Sequence, residues 1–242
     1  MVSMKLTGHT ILITGASSGI GKCLASQLHD AGNKIIVASR SAKSDRSNTI
    51  ALTCDLTEKN AVIKLVGILK KRKLKPSLLI NNAAVQFTPG FVDKDFDFNA
   101  IQTEITVNFT AVAWLTSLLL PVLTAGESGA IVNISSGLAL YPKTNSAVYC
   151  ATKAAIHSFS QSLRYQLQEK NVSVHEAILP LVDTPMTRGR GSGKITAGAA
   201  ARSIIKGLEK DRYEIYVGKA KWLPILARLS PRLTRKILKS TG

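Results

Sequence analysis

Thr10-Ile11-Leu12-Ile13-Thr14-Gly15-Ala16-Ser17-Ser18-Gly19-Ile20-Gly21 is the stretch that decides the fold. Its first five residues form a short β-branched and apolar run, which reads as a buried strand. The glycines that follow mark a tight turn opening a helix. Glycine there lets the backbone approach a phosphate closely, and the helix start offers free N–H donors and a partial positive charge. The expected contacts are Gly15, Ser17, Ser18, Gly19, Ile20 and Gly21. A glycine-rich turn alone is a weak signal, but directly behind a first strand it points to a nucleotide site.

Outward from that turn, short β-branched runs alternate with helical patterns to the end of the chain. Strands are expected at 10–14, 34–38, 50–54, 78–81, 130–134, 172–178 and 214–217. Helices are expected near 20–31, 58–71, 104–123, 149–170 and 197–210. This alternation predicts βαβ units, and so an α/β fold: a Rossmann-type doubly wound parallel sheet of about seven strands with helices on both faces. At 242 residues, 45% hydrophobic and 19% charged, the chain reads as one domain over 1–242 with a basic amphipathic extension at about 218–242. The glycine- and arginine-rich stretch 185–198 is the flexible candidate inside the domain.

Composition narrows the function. Cys23, Cys54 and Cys150 lie far apart with no Cys-x-x-Cys spacing, which reads as reduced thiols in a cytoplasmic protein. No apolar leader precedes the first strand, which argues against export. His9, His29, His157 and His175 lack ligand spacing, so no metal is assigned. The apolar run 105–123 contains Asn108, Thr110, Thr116 and Ser117 and meets Pro121, which suits a buried interface helix better than a membrane span.

The net charge of +17 concentrates in two places, 59–75 and 218–242. The second interleaves Lys219, Lys221, Arg228, Arg232, Arg235, Lys236 and Lys239 with Trp222 and a series of leucines and isoleucines. Two readings stand side by side: an amphipathic surface helix docking peripherally on anionic membrane, or a basic subunit contact or extension packed on the core. Nucleic acid is disfavoured, because no base-stacking aromatic cluster accompanies the charge.

Tyr149 and Lys153 stand one helical turn apart, with Ser136 upstream. A phenol is a poor acid or base at neutral pH, but an ammonium four residues along the helix favours its phenolate. The second strand ends in Ser39-Arg40, where a fold that binds NAD usually presents a carboxylate to the adenosine ribose. A serine and an arginine fork there suit a 2′-phosphate, so NADP(H) is favoured over NAD(H).

Six motifs resemble the short-chain dehydrogenase/reductase family along nearly the whole chain. They are the turn 14–21, Asn81-Asn82-Ala83-Ala84, Asn108, Asn133-Ile134-Ser135-Ser136, Tyr149-x-x-x-Lys153 and the stretch 180–184. In detail, 131–164 is most similar to a bacterial subgroup of DltE-like oxidoreductases. The resemblance implies Tyr149 as general acid or base, and Lys153 as the group that acidifies it and binds the nicotinamide ribose. It implies Ser136, on the loop after the fifth strand, holding the reacting oxygen. Asn108 would hold a water through its backbone carbonyl. Further cofactor contacts implied are Asp55 and Leu56 at the adenine, Asn82 and Ala83 near the adenosine ribose, and Pro180, Val182 and Thr184 near the carboxamide. Asp55 reads equally as a helix cap. Ala84 and Leu181 replace usual glycines, and Ser18 stands where many NADP-dependent members carry a basic residue.

The expected activity is an NADP(H)-dependent oxidoreductase interconverting a carbonyl compound and an alcohol, assembled as a homodimer or homotetramer. Arg188, Arg190 and Lys194 suggest tolerance of anionic or bulky substrates. The rivals are a non-catalytic dinucleotide-binding sensor or membrane-surface scaffold, and an epimerase or dehydratase. The intact Ser136, Tyr149 and Lys153 argue against the first, and the compact length against the second.

Overall fold

The computed structural model describes residues 5–44 and 46–239. Its strands are β1 (Thr10–Thr14), β2 (Lys34–Ser39), β3 (Thr49–Thr53), β4 (Leu78–Asn81), β5 (Gly129–Ser136), β6 (Val172–Leu179), β7 (Val182–Asp183), β8 (Ile195–Thr196) and β9 (Glu214–Tyr216). Seven of them form one parallel sheet in the order β3-β2-β1-β4-β5-β6-β9. The chain builds outward from β1 to β3, then crosses back to start again at β4. At that reversal the crevice beyond the carboxyl ends of β1 and β4 opens, the usual ligand position in an open α/β sheet.

Strand alternation feeds two cores. Ile11 and Ile13 face one side, where they join Leu24 and Leu28 of helix α1 (Gly19–Asp30) and Ala200, Ile204 and Leu208 of α6 (Ala197–Glu209). Leu12 faces the other, with Leu65 and Leu69 of α2 (Lys59–Lys71), Leu115 and Leu119 of α4 (Ala111–Thr124) and Leu163 of α5 (Ala147–Gln166). Because successive strand side chains point to opposite faces, a strand covered on both must be apolar throughout. Each such leucine, fully buried, contributes about 1.5–3 kcal/mol of burial free energy.

Differences from the sequence expectation are local. The helix expected at 104–123 begins earlier, as α3 (Phe98–Ile105), because Asp97 caps it by accepting from the Asn99 N–H at 2.9 Å. A π turn, Thr106–Thr110, then joins it to α4. The apolar run marked only the buried part. The combined helix Phe98–Thr124 is long and apolar enough to cross a membrane by length and composition, yet its Val112, Leu115, Leu119 and Leu123 pack in the core. Helix α5 starts two residues before Tyr149 and ends at Gln166, so Tyr149 lies in its first turn.

Two strands escaped the sequence reading, β7 and β8, whose two-residue pairing sits at the edges of the stretch 185–198. That stretch also holds a short 3-10 turn, Pro185–Thr187, in which the Thr187 hydroxyl donates to the Val182 carbonyl at 2.5 Å. It is thus more regular than its composition suggested. The C-terminal extension forms a 3-10 turn (Gly218–Trp222) and two short helices, α7 (Leu223–Leu229) and α8 (Pro231–Lys239), where one of the two sequence readings had an amphipathic surface helix. The break falls at Ser230-Pro231, since proline lacks the N–H needed to continue a helix. Residues 240–242 of the expected extension lie outside the described residues.

Candidate active site

One cleft of about 1090 Å³ runs over the carboxyl ends of the central strands, bounded at one end by Gly15–Ile20 and at the other by the C-terminal helices. Ser17, Ser18 and Gly19 line it beside Ser39, Arg40, Asp55 and Leu56. Gly15 has φ +67°, and a Cβ there would lie 2.7 Å from the Ala83 Cα; Gly19 has φ +54° and faces the Thr184 side chain. Gly21 does not reach the cleft wall. Its missing Cβ leaves room for the Asn82 amide, whose Nδ2 donates to the carbonyls of Thr14 at 2.9 Å and Gly15 at 3.0 Å. The Thr14 hydroxyl in turn accepts from the N–H groups of Asn82 and Ala83, at 3.0 and 3.1 Å. Asn82 and Ala83 therefore line the cleft and also lock the glycine turn to the end of β4.

At the adenosine end expected from the sequence, Arg40 is exposed and Ser39 is buried, its hydroxyl lacking a hydrogen-bond partner among the described residues. Asp55 accepts from the Thr57 N–H at 2.9 Å and the Thr57 hydroxyl at 2.8 Å, which hold its carboxyl below the ordinary range. It closes a local turn; the N-cap position of α2 is Glu58, whose side chain makes no capping hydrogen bond.

Farther along the same wall lie Ser136, Tyr149, Lys153, Pro180, Val182 and Thr184. Ser136 is the last residue of β5 rather than part of the following loop. Its hydroxyl accepts from the Leu138 N–H at 3.2 Å, which leaves its own proton free to donate. Asn108 is fully buried behind the wall, in the π turn. Its side chain accepts from the Val85 N–H at 2.8 Å and donates to the Val85 carbonyl at 2.9 Å and the Thr152 hydroxyl at 3.2 Å. Thr152 donates to the Tyr149 carbonyl at 2.8 Å, so Asn108 ties the loop after β4 to the turn that carries Tyr149. Of the other motif asparagines, Asn81 and Asn133 are register partners in β4 and β5, and their amides form a buried chain to Ser160. Ala84 and Leu181 are not among the positive-φ residues, so neither position requires glycine.

The electrostatics differ from the expectation. Burial pushes the Tyr149 phenol up, and Arg190, not Lys153, is the cation that opposes this. Lys153 donates to the Ile134 carbonyl at 2.8 Å and stands 5.5 Å from the Tyr149 ring centre. Its own burial lowers it to about 8, with Glu176 pulling the other way. Tyr149 is thereby held as a protonated phenol at neutral pH.

The substrate end also departs from the sequence reading. Of Arg188, Arg190 and Lys194, only Arg190 lines the cleft; Lys194 donates to the Thr187 carbonyl at 2.5 Å. Lys143, Lys219, Trp222, Leu223, Leu226 and Leu238 line it and were not anticipated as site residues. They come from segments with no motif, and only the fold gathers them. The extension is anchored beside them where Thr144 donates to the Lys239 carbonyl through its N–H at 3.1 Å and its hydroxyl at 3.0 Å.

A doubly wound parallel sheet with a glycine-lined turn at one end of a cleft over its carboxyl edge defines the class of Rossmann-type nucleotide-binding folds. The family profile for short chain dehydrogenase matches residues 9–194. An uncharacterized oxidoreductase of Bacillus subtilis (strain 168), DltE, is 35% identical over 224 residues, spanning 88% of this chain and 89% of its own. A short chain dehydrogenase from Burkholderia cenocepacia, solved in complex with NADP, superposes with a TM-score of 0.86 at 24% identity, covering 98% of this chain and 100% of that one. One from Burkholderia phymatum, solved with NAD, does so with a TM-score of 0.81 at 20% identity, covering 99% and 98%. The chain belongs to the short chain dehydrogenase family and is an oxidoreductase of that family.

Proposed function

We propose that this protein is an NADP(H)-dependent oxidoreductase that interconverts a carbonyl compound and an alcohol. The observation that carries the reading is the position of Ser136, Tyr149 and Lys153 on the wall of the cleft that begins at the Gly15–Ile20 turn. The residues present fit a dinucleotide. Gly15 lines the cleft with a positive φ and packs too close to Ala83 to carry a Cβ, helix α1 has no acidic residue in its first turn, and the Ser39 hydroxyl is buried without a partner among the described residues. Gly15, Ser17, Ser18, Gly19 and Ile20 would hold the phosphates, Ser39 and Arg40 the 2′-phosphate, and Asp55, Leu56, Asn82 and Ala83 the adenosine. Lys153, Pro180, Val182 and Thr184 would hold the nicotinamide side. When bound, the nicotinamide supplies or takes up the hydride.

The chain's own part is proton transfer and positioning. Ser136 donates its free proton to the reacting oxygen, and Tyr149 delivers a proton to that oxygen as it gains charge. A phenol kept protonated by burial suits the reducing direction. Lys153, already near half-charged at about pH 8, re-supplies the proton. Asn108 is a positioning residue that fixes the turn carrying Tyr149, and a water on its backbone carbonyl would link Lys153 to solvent. The test mixes protein with NADPH or NADH and a panel of aldehydes and ketones and follows absorbance loss. Turnover with preference for NADPH, falling at least about a hundredfold in Ser136→Ala, is expected; a silent panel, or a Ser136→Ala variant at wild-type rate, would overturn the reading.

The outer face of the extension supports a second reading, of peripheral binding to an anionic lipid surface by a cytoplasmic homo-oligomer that pairs through α4 and α5. Ile225, Leu229 and Leu233 are 49%, 77% and 49% exposed and do not line the cleft, and 218–242 carries seven cations and no carboxylate. Apolar side chains ringed by cations match such a surface in shape and charge. Co-sedimentation with anionic vesicles at low salt, abolished by Leu229→Glu with Leu233→Glu, is the expected result; equal recovery with neutral vesicles would contradict it.

A further inference from the structure

We propose that the substrate end of the cleft is an anion subsite built by Lys143 and Arg190, with Lys219 at its rim, and that the carbonyl compound reduced there carries a carboxylate or phosphate on an apolar body. The inference deepens the reading of Tyr149 and Ser136 given above and rests on it.

Lys143 lies on the turn between β5 and α5, six residues before Tyr149, and is only 9% exposed although it lines the cleft. An ammonium taken out of water without a counter-charge is unfavourable unless something pairs with it, which makes an unpaired one a feature that needs a cause. No ion pair to Lys143 or Arg190 forms among the described residues. Arg190 donates to the Gln86 Oε1 at 2.9 Å, a neutral acceptor that fixes the guanidinium and leaves its charge uncompensated. The two cations also repel each other: Lys143 is lowered first by burial and then by Arg190, with Cys150 opposing less strongly, and burial raises that thiol and so favours its neutral form. Lys219 adds a third positive group, its ammonium poised over Gly193 on the Arg190 loop.

The acids are elsewhere. Asp55 is the single carboxylate among the residues lining the cleft, and it sits at the opposite end beside Arg40. Glu104, close enough to Tyr149 to oppose its ionisation, accepts from the Phe87 N–H at 2.8 Å and is itself raised by burial. It does not line the cleft, so it cannot serve as the missing counter-ion. Leu138, Leu223, Leu226 and Leu238 complete the same end with apolar surface. A buried and a partly buried cation that line the same cleft as Tyr149 and repel each other can be satisfied by one incoming anion, and charge-assisted hydrogen bonds of this kind are the strong class. Arg190 also lowers Tyr149, so an anion seated on it would leave the phenol more firmly protonated, in line with a proton donor.

The experiment compares a medium-chain 3-oxo acid with its methyl ester, each with NADPH, for wild type, Lys143→Met, Arg190→Met and the double variant. Methionine keeps much of the side-chain bulk and removes a desolvated charge, so the fold is retained. Wild type is expected to prefer the acid over the ester by about tenfold or more in kcat/KM, and the double variant to bring that ratio close to one, as loss of one or two charge-assisted hydrogen bonds implies. A preference unchanged in the double variant would overturn the subsite. So would a loss traced to weaker NADPH binding, measured by nucleotide fluorescence, since the cations would then serve the cofactor. A parallel titration of NADP⁺-loaded Tyr149→Phe protein with hexanoate and hexanamide reads the subsite without turnover. Hexanoate binding at least about tenfold tighter supports it even if Tyr149 proves dispensable for catalysis, and equal binding sinks it even if Tyr149 is essential. Medium-chain phosphate monoester in place of hexanoate distinguishes the two anions.

Discussion

The two ends of the cleft are built in different ways. The end at Gly15–Ile20 is made by residues close together in sequence, each held by backbone demands: positive φ at Gly15 and Gly19, contact with Ala83, and the Asn82 amide filling the place of a Gly21 side chain. The end at Lys143 is made by single residues from distant segments, Gln86, Lys143, Arg190, Lys219 and Leu223, held by packing and charge. A backbone cradle tolerates little change and binds a group of constant shape. A side-chain chamber can be altered one residue at a time, and under the proposed function specificity for a substrate would reside there.

That contrast can be broken by substitution. Gly15→Ala should have the largest effect on cofactor binding, because a Cβ would meet the Ala83 Cα at 2.7 Å in a left-handed conformation. Left-handed backbone costs about 1–2 kcal/mol and overpacking about 1–3 more. NADPH affinity should fall by about a hundredfold in a fluorescence titration, and Gly19→Ala, which meets only the Thr184 side chain at 3.2 Å, should do less harm. Equal effects would mean that the cradle is not set by backbone contact.

Next in size is Arg40→Asp, which places a carboxylate where Arg40 meets the cleft. The ratio of NADPH to NADH efficiency should drop by about tenfold to a hundredfold, the worth of one charge-assisted contact. An unmoved ratio would remove Arg40 from cofactor choice.

The effect with the least bearing on the contrast concerns Lys153 and is read as stability against pH. Its folded value, lowered from 10.5 to about 8, means that the unfolded chain binds more protons between those limits. The burial penalty is therefore present in full below about pH 8 and fades as pH rises toward 10.5. Lys153→Met should be relatively most stable near pH 7 and lose that advantage, on the order of 3 kcal/mol, by pH 10.5 in urea titrations. A difference flat in pH would mean that Lys153 is not desolvated.

Much of this was legible in the sequence. The strands at β1 and β4 were placed to the residue, because runs apolar on both faces have few other uses. The glycine turn was readable for the same local reason. What stayed hidden was set by distance along the chain. Lys143 looks like any loop lysine until the fold buries it, and Thr144 meets Lys239 across 95 residues. The start of α3 was missed because Phe98 and Asn99 are exposed and carry no apolar period. The acidity expected for Tyr149 rested on one helical neighbour, and three-dimensional burial, with Lys153 turned to Ile134, outweighs it.

The most direct test of the account is a comparison of wild type with Tyr149→Phe, each saturated with NADPH, in single-turnover reduction of a carbonyl compound that wild type accepts. Phenylalanine keeps the ring and removes only the proton-bearing oxygen. The expected result is unchanged NADPH affinity with hydride consumption slowed about a hundredfold to ten-thousandfold. A variant that oxidises NADPH at the wild-type rate would contradict the assignment of Tyr149 as the proton donor.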